Sequence, residues 1–192
     1  MKKQILTGIV ALGMAAGAFA QGTIAFDNQF NVNLTAGATN SGGVFKQGAL
    51  DGSDFNVALY GGSSAANMTL IATLLQSAGQ VLSGNTIGAP GLWLDNSGAE
   101  YPVAGVPALG TGFFQVQAWE GSFNDYASAV AGGAFAGQSS VFQNATGGGA
   151  VSAPDLTGLP SFTLTASVVP EPTTLALCGL GAASLLLFRR KK

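Results

Sequence analysis

No histidine occurs anywhere in the chain, and its one cysteine, Cys178, sits inside an apolar run. The first absence removes Ser-His-Asp and Cys-His nucleophile systems, His-based zinc and copper sites, and the commonest general base. The second removes any disulfide within the chain, and Cys178 reads as a small apolar residue among apolar neighbours. Arginine is confined to Arg189 and Arg190. Between residues 21 and 167 the only base is Lys46, set against Asp27, Asp51, Asp54, Asp95, Glu100, Glu120, Asp125 and Asp155, a formal charge of −7. Nucleic-acid binding needs clustered Lys and Arg to displace counterions from phosphates, so DNA and RNA are excluded as partners. Long cationic clamps for phosphate or carboxylate ligands are missing for the same reason. Gly-x-Ser-x-Gly, Gly-x-Gly-x-x-Gly, Walker and Cys-x-x-Cys spacings are absent from this stretch as well.

What is present is clearest at the two ends. Lys2 and Lys3 precede an apolar stretch over residues 5–16, and Ala18-Phe19-Ala20 forms a small-residue cleavage box before Gln21. That order reads as a secretory signal peptide at 1–20, cut by a signal peptidase after Ala20. The apolar stretch is short of the roughly 20 residues that a membrane-spanning helix needs.

Toward residue 192 the order is Pro170-Glu171-Pro172, an apolar run over 175–188, then Arg189, Arg190, Lys191 and Lys192. The four cations resist translocation and act as a cytoplasmic stop. As a helix the apolar run extends about 21 Å at 1.5 Å per residue, against a hydrocarbon core of about 30 Å. A span that short suits a transient hold in the membrane better than a permanent anchor. The prolines fix φ and push Val169 and Glu171 toward extended backbone, the form a processing enzyme takes into its cleft.

Triplet, apolar run and basic end together resemble the PEP-CTERM sorting signal. The resemblance covers residues 168–192 and implies recognition by a membrane transpeptidase-like enzyme, exosortase, in Gram-negative bacteria that make exopolysaccharide. It follows the logic of other sorting tails, in which a motif, an apolar hold and a polar end act together after export.

Residues 21–167 suit a single domain, and a chain of that size buries roughly 68–70% of its unfolded surface without covalent help. Aromatic and β-branched residues cluster in short runs separated by Gly, Asn, Ser and Pro, which predicts an all-β fold. Strands are expected over 23–27, 55–60, 69–75, 113–119, 139–143 and 162–167. Residues 114–119 alternate apolar and amide side chains. Residues 102–112, with Pro102 and Pro107, read as a rigid connection. One short helix is expected over 126–131, capped by Ser122 at capping-box spacing from Asp125, stopped by Gly132-Gly133, and lying across a sandwich end. The expected architecture is an antiparallel β-sandwich or jelly-roll-like ectodomain with one short helix. A signal peptide and a short C-terminal hydrophobic helix flank it.

Candidate chemistry in the middle is sparse. Asp95 with Glu100, and Glu120 with Asp125, are the nearest carboxylate pairs for a glycosidase-type mechanism, which sets two acids across the scissile bond. Both sit in turn-like contexts where surface acids are ordinary. Asp51, Asp54 and Asn56 offer closely spaced oxygens for calcium, but without the Gly and Glu of an EF-hand loop. An Asx turn is the competing reading. Trp93 and Trp119 are the candidates for a sugar-stacking platform. Trp93 is the better placed of the two for exposure, although burial in the core is the ordinary fate of such rings.

These features predict a non-enzymatic exported protein of the cell surface or extracellular matrix, with a structural or interaction role and no cofactor. Its expected partners are a signal peptidase, an exosortase-type enzyme and, transiently, the membrane through residues 175–188. The alternative is a carbohydrate-binding module for the organism's own exopolysaccharide.

Overall fold

The computed structural model describes residues 21–28, 42–46, 49–50, 52–84 and 86–166. Twelve strands and one α-helix appear among them. In chain order these are β1 (Gln21–Ala25), β2 (Val44–Lys46), β3 (Ala49–Leu50), β4 (Phe55–Gly62), β5 (Thr69–Leu74), a 3-10 turn (Gln76–Ala78) and β6 (Val81–Ser83). Then come β7 (Trp93–Asp95), β8 (Glu100–Pro107), β9 (Thr111–Glu120), α1 (Tyr126–Ala131), β10 (Phe135–Gln138), β11 (Phe142–Ala145) and β12 (Phe162–Ala166).

One eight-stranded sheet dominates, in the order β3-β2-β12-β10-β9-β4-β5, with β11 also pairing β9. Two two-stranded ladders, β1-β8 and β6-β7, complete the strand pairs. All pairs are antiparallel except β12 with β2, which run parallel. The fold class is therefore the all-β one read from the sequence, with that single parallel pair as its exception.

The alternation in β9 does what period-two patterning dictates. Phe114, Val116 and Ala118 enter the main core beside Phe55, Val57 and Leu59 of β4, while Gln115 and Gln117 remain half-buried on the other face. Ile24 and Phe26, Val103 and Val106, Val81 and Trp93 contribute to the same core from the two ladders. Trp93 is at the junction of the layers. Its ring meets Phe26 at 6.0 Å and Phe55 at 6.3 Å, both edge-on, the arrangement that sets a positive ring edge against a negative face.

Trp119 points the other way. It is fully buried in a second, smaller cluster with Ala58, Ala129 and Ala136. Helix α1 supplies Ala129 and covers that end of the sheet's outer face. The helix thus lies on β9 and β10 instead of across a sandwich end. Its cap also differs from the expectation. Asp125, extended at φ −151° and ψ 163°, is the N-cap, and its carboxylate accepts a hydrogen bond from the Ser128 N–H. Ser122 lies one turn too early, because the carboxylate three residues before Ser128 is the group that reaches a free N–H of the first turn.

Two further segments depart from the sequence reading. Residues 102–107 belong to β8, not to a connection. Prolines are tolerated there because Pro102 and Pro107 lie on a strand with one partner only, β1. Gly105, at φ 73°, breaks the alternation so that Val103 and Val106, three positions apart, both reach the core. The expected strand at 139–143 falls on a break between two strands: β10 ends at Gln138, β11 begins at Phe142, and Ser139 lies between them. Ser139 donates its N–H to the Val116 carbonyl at 2.8 Å, and its hydroxyl accepts from the Val116 N–H at 3.0 Å. A side chain thus fills the ladder position where the chain steps from β10 to β11.

Candidate functional site

Strand β12 is the last described element before the Pro170-Glu171-Pro172 triplet, and it is held inside the sheet instead of along its rim. Phe135 and Ala136 of β10 pair with Ala166 and Thr165 on one side, while Val44, Phe45 and Lys46 of β2 pair with Phe162, Thr163 and Leu164 on the other. Phe162 and Leu164 are buried. The strand packs so closely on β10 that a Cβ at Gly137 would collide with the Thr163 carbonyl oxygen. Ala166 is therefore fixed by its neighbours, and the sorting segment begins directly beyond a rigid strand.

The direction of the strands sets where each end emerges. β10 is antiparallel to both β9 and β12, so β12 runs with β9 and Ala166 lies level with the Glu120 end. Gln21 pairs with Pro107, next to the turn into Thr111, at the opposite end. Gly147 ties that end together, since Thr23 and Leu109 both donate their N–H groups to its carbonyl. β9 spans 10 residues, so these two ends lie about 30 Å apart along the strand direction at 3.3 Å per residue.

The carboxylates singled out from the sequence each have a local task. Asp95, almost fully buried, accepts from the Ser97 N–H at 2.8 Å, the Ser97 hydroxyl at 2.7 Å and the Tyr101 hydroxyl at 2.7 Å. Burial, reinforced by that bond to Asp95, pushes the Tyr101 phenol up to about 12. Glu100 accepts from the Thr23 hydroxyl and the Ala153 N–H, both at 3.2 Å. Glu120 holds Lys46 through both carboxylate oxygens, at 2.7 and 2.9 Å. The same ammonium lies 4.0 Å from the centre of the Phe135 ring. Asp125 is occupied at the helix cap, and the bonds from Ser128 draw its carboxyl below the usual range. The structure thus gives the Asp95/Glu100 and Glu120/Asp125 pairs separate partners.

Of the calcium candidates, Asp54 accepts from the Thr86 N–H at 2.8 Å. Asn56 is buried against the sheet, donating to the Trp119 and Gly121 carbonyls and accepting from the Gln76 N–H at 2.9 Å. Asp51 lies outside the described residues. No three His, Cys, Asp or Glu side chains gather as a metal site among the described residues. Both tryptophans are fully buried, so Trp93 is a core residue instead of an exposed platform. Their indole N–H groups donate to Phe26 and Phe123 carbonyls.

The sequence reading missed the Lys46–Glu120 pair and the Asp95–Tyr101 bond. The first joins residues far apart in the chain and leaves no local mark. The second has half a signal, because Asp95-Asn96-Ser97 carries Asx-turn spacing.

Ala18, Ala20, Pro170, Glu171, Pro172, Arg189, Arg190, Lys191 and Lys192 lie outside the described residues. Within the described residues no helix is long and apolar enough to cross a membrane. No curated protein and no solved structure matches the chain. Residues 168–191 match the PEP-CTERM protein-sorting motif. The segment that follows β12 is thus a PEP-CTERM sorting motif, and it marks the chain as a protein sorted to the exterior by an exosortase system.

Proposed function

We propose that the chain is a non-enzymatic structural or interaction protein of the cell surface or extracellular matrix, delivered as a folded β domain. The observation that carries this reading is the sorting motif at 168–191, placed directly after a strand locked in the middle of the main sheet. Processing beyond Pro172 would take no described strand or helix with it, so the domain survives release intact. An N-terminal signal cut after Ala20 would free Gln21 at the far end. A tail held transiently in the membrane through residues 175–188 would leave that far end directed away from the bilayer.

The absence of histidine and the separate local roles of Asp95, Glu100, Glu120 and Asp125 support a role without catalysis. Binding of the organism's exopolysaccharide would have to use groups other than Trp93 and Trp119, which are enclosed. Replacing Pro170, Glu171 and Pro172 together by alanine and fractionating the native host tests the delivery step. The expected outcome is retention in the membrane fraction. Unchanged release would overturn recognition of the triplet.

A further inference from the structure

Strand β5 ends the main sheet on one side, and no described strand pairs with its outer edge. An open edge presents a row of unpaired N–H and C=O groups, and proteins guard such rows with Lys, Pro, inward charges or very short strands. Two other rims are guarded in that way. β8 carries Pro102 and Pro107, and β3 has only two residues. β5 reads Thr-Leu-Ile-Ala-Thr-Leu, six residues of high β propensity with neither charge nor proline. Its one irregularity is a bulge at Ile71, opposite Leu59 and Tyr60, which leaves Ala72, Thr73 and Leu74 in regular register with β4. Leu70 is 54% exposed although it is a large apolar side chain in a strand.

The surroundings of this edge are equally unusual. From Phe55 to Leu94 the chain contains no Asp, Glu, Lys or Arg. That interval holds β4, β5, the hairpin between them and the exposed turn Gln76–Ala78. All eight acids of residues 21–167 lie outside it. Two copies of so acidic a domain repel wherever charged faces meet, since like charges set against each other cost free energy. The uncharged interval is where they approach without that cost.

The geometry points to β5 as a homotypic docking edge, which pairs antiparallel with β5 of a second copy about a twofold axis. Such a contact is isologous, so the same six residues serve both partners and the assembly closes as a dimer. Main-chain hydrogen bonds supply the affinity, as in other strand additions. The two main sheets then become one continuous sheet. The inference extends the structural role proposed above and does not depend on whether the tail is processed.

Light scattering on the size-fractionated protein purified from its native host, with or without its sorting tail, tests it. The expected mass is twice that of one chain, and Leu70→Glu halves it without changing the circular dichroism spectrum. Thr69→Glu, at another exposed edge position, gives the same halving and serves if Leu70→Glu fails to fold. Leu109→Glu alters a leucine that is 66% exposed but lies in the β8–β9 turn, and it leaves the dimer intact. A wild-type protein that stays monomeric, a dimer that persists in a folded edge variant, or a dimer lost only with Leu109→Glu each overturns the inference.

Discussion

The Asn28 side chain holds the Trp93 backbone in place: the Trp93 N–H donates to Asn28 Oδ1 at 2.7 Å, and the Asn28 N–H returns a bond to the Trp93 carbonyl at 3.4 Å. Asn28 Nδ2 donates in addition to the carbonyls of Gly42 at 2.6 Å and Gly91 at 3.2 Å. One fully buried amide thereby joins two backbone segments, at Gly42 and at Gly91 to Trp93, around the ring that links the layers of the fold. Asn28→Ala strips the Gly42 carbonyl and the Trp93 N–H of this partner, while the Gly91 carbonyl keeps its bond from the Val44 N–H at 3.1 Å. A loss of about 1–3 kcal/mol is expected for each group left unsatisfied. Denaturant titration of the variant checks it.

At Asp125 the expectation concerns both identity and pH. Asp125→Ala lowers the melting temperature, whereas Asp125→Asn, which keeps an acceptor oxygen for Ser128, lowers it less. The carboxyl is shifted downward in the folded state by the bonds from Ser128, so its contribution is present above the ordinary carboxylate range. That contribution is lost as pH falls through the lower folded value. Melting temperatures of wild type and Asp125→Asn therefore converge in acid.

Tyr101 behaves in the opposite sense. Its phenol is raised from about 10 to about 12, chiefly by burial and then by Asp95. Keeping it protonated stabilises the fold below the ordinary tyrosine range, and this is lost as pH rises through the folded value. In an alkaline titration of tyrosinate absorbance Tyr101 ionises late, and Tyr126, also raised by burial, contributes a second delayed step. Asp95→Asn brings the Tyr101 step toward the ordinary value and leaves the Tyr126 step in place.

The Lys46–Glu120 bridge is partly enclosed, with side-chain exposures of 25% and 18%. A double-mutant cycle on Lys46→Met and Glu120→Gln is expected to give a coupling of about 1 kcal/mol, at the upper end for ion pairs open to solvent. Added salt reduces it. The contact with Phe135 persists when Glu120 alone is changed.

Leu109 is the one residue other than glycine with positive φ among the described residues, at 58°. It lies in the turn closed by the Gly110 N–H donating to the Pro107 carbonyl at 3.0 Å. Left-handed backbone costs an L-residue about 1–2 kcal/mol, and Asn tolerates it better than Leu. Leu109→Asn is therefore expected to stabilise the domain by about 0.5–1 kcal/mol in thermal melts.

What the sequence reveals follows from how local each signal is. β9 was legible because Phe114, Val116 and Ala118 alternate with amides, and period two is a local property of a strand with one face in the core. β12 was legible for the same reason, and β4 through Phe55, Val57 and Leu59, whereas β5 was marked by its β-branched run between turn residues. β7 was not, because three residues around Trp93 are too few to show a period, and the ring is enclosed by Asn28 and Phe26 from elsewhere in the chain. β8 was hidden by its prolines and by the break at Gly105. At the sorting tail the order of residue types is itself the signal, so the motif needed no fold to be read. The partners of Asp95, Glu100 and Glu120 depend on pairing across the sheets, which residue types alone do not encode.

The central claim concerns route and release, and the intact mass of the protein recovered outside its native host tests it most directly. The account predicts a chain that begins at Gln21 and lacks most of the sequence beyond Pro172. A mass that still includes residues 175–192 would contradict it.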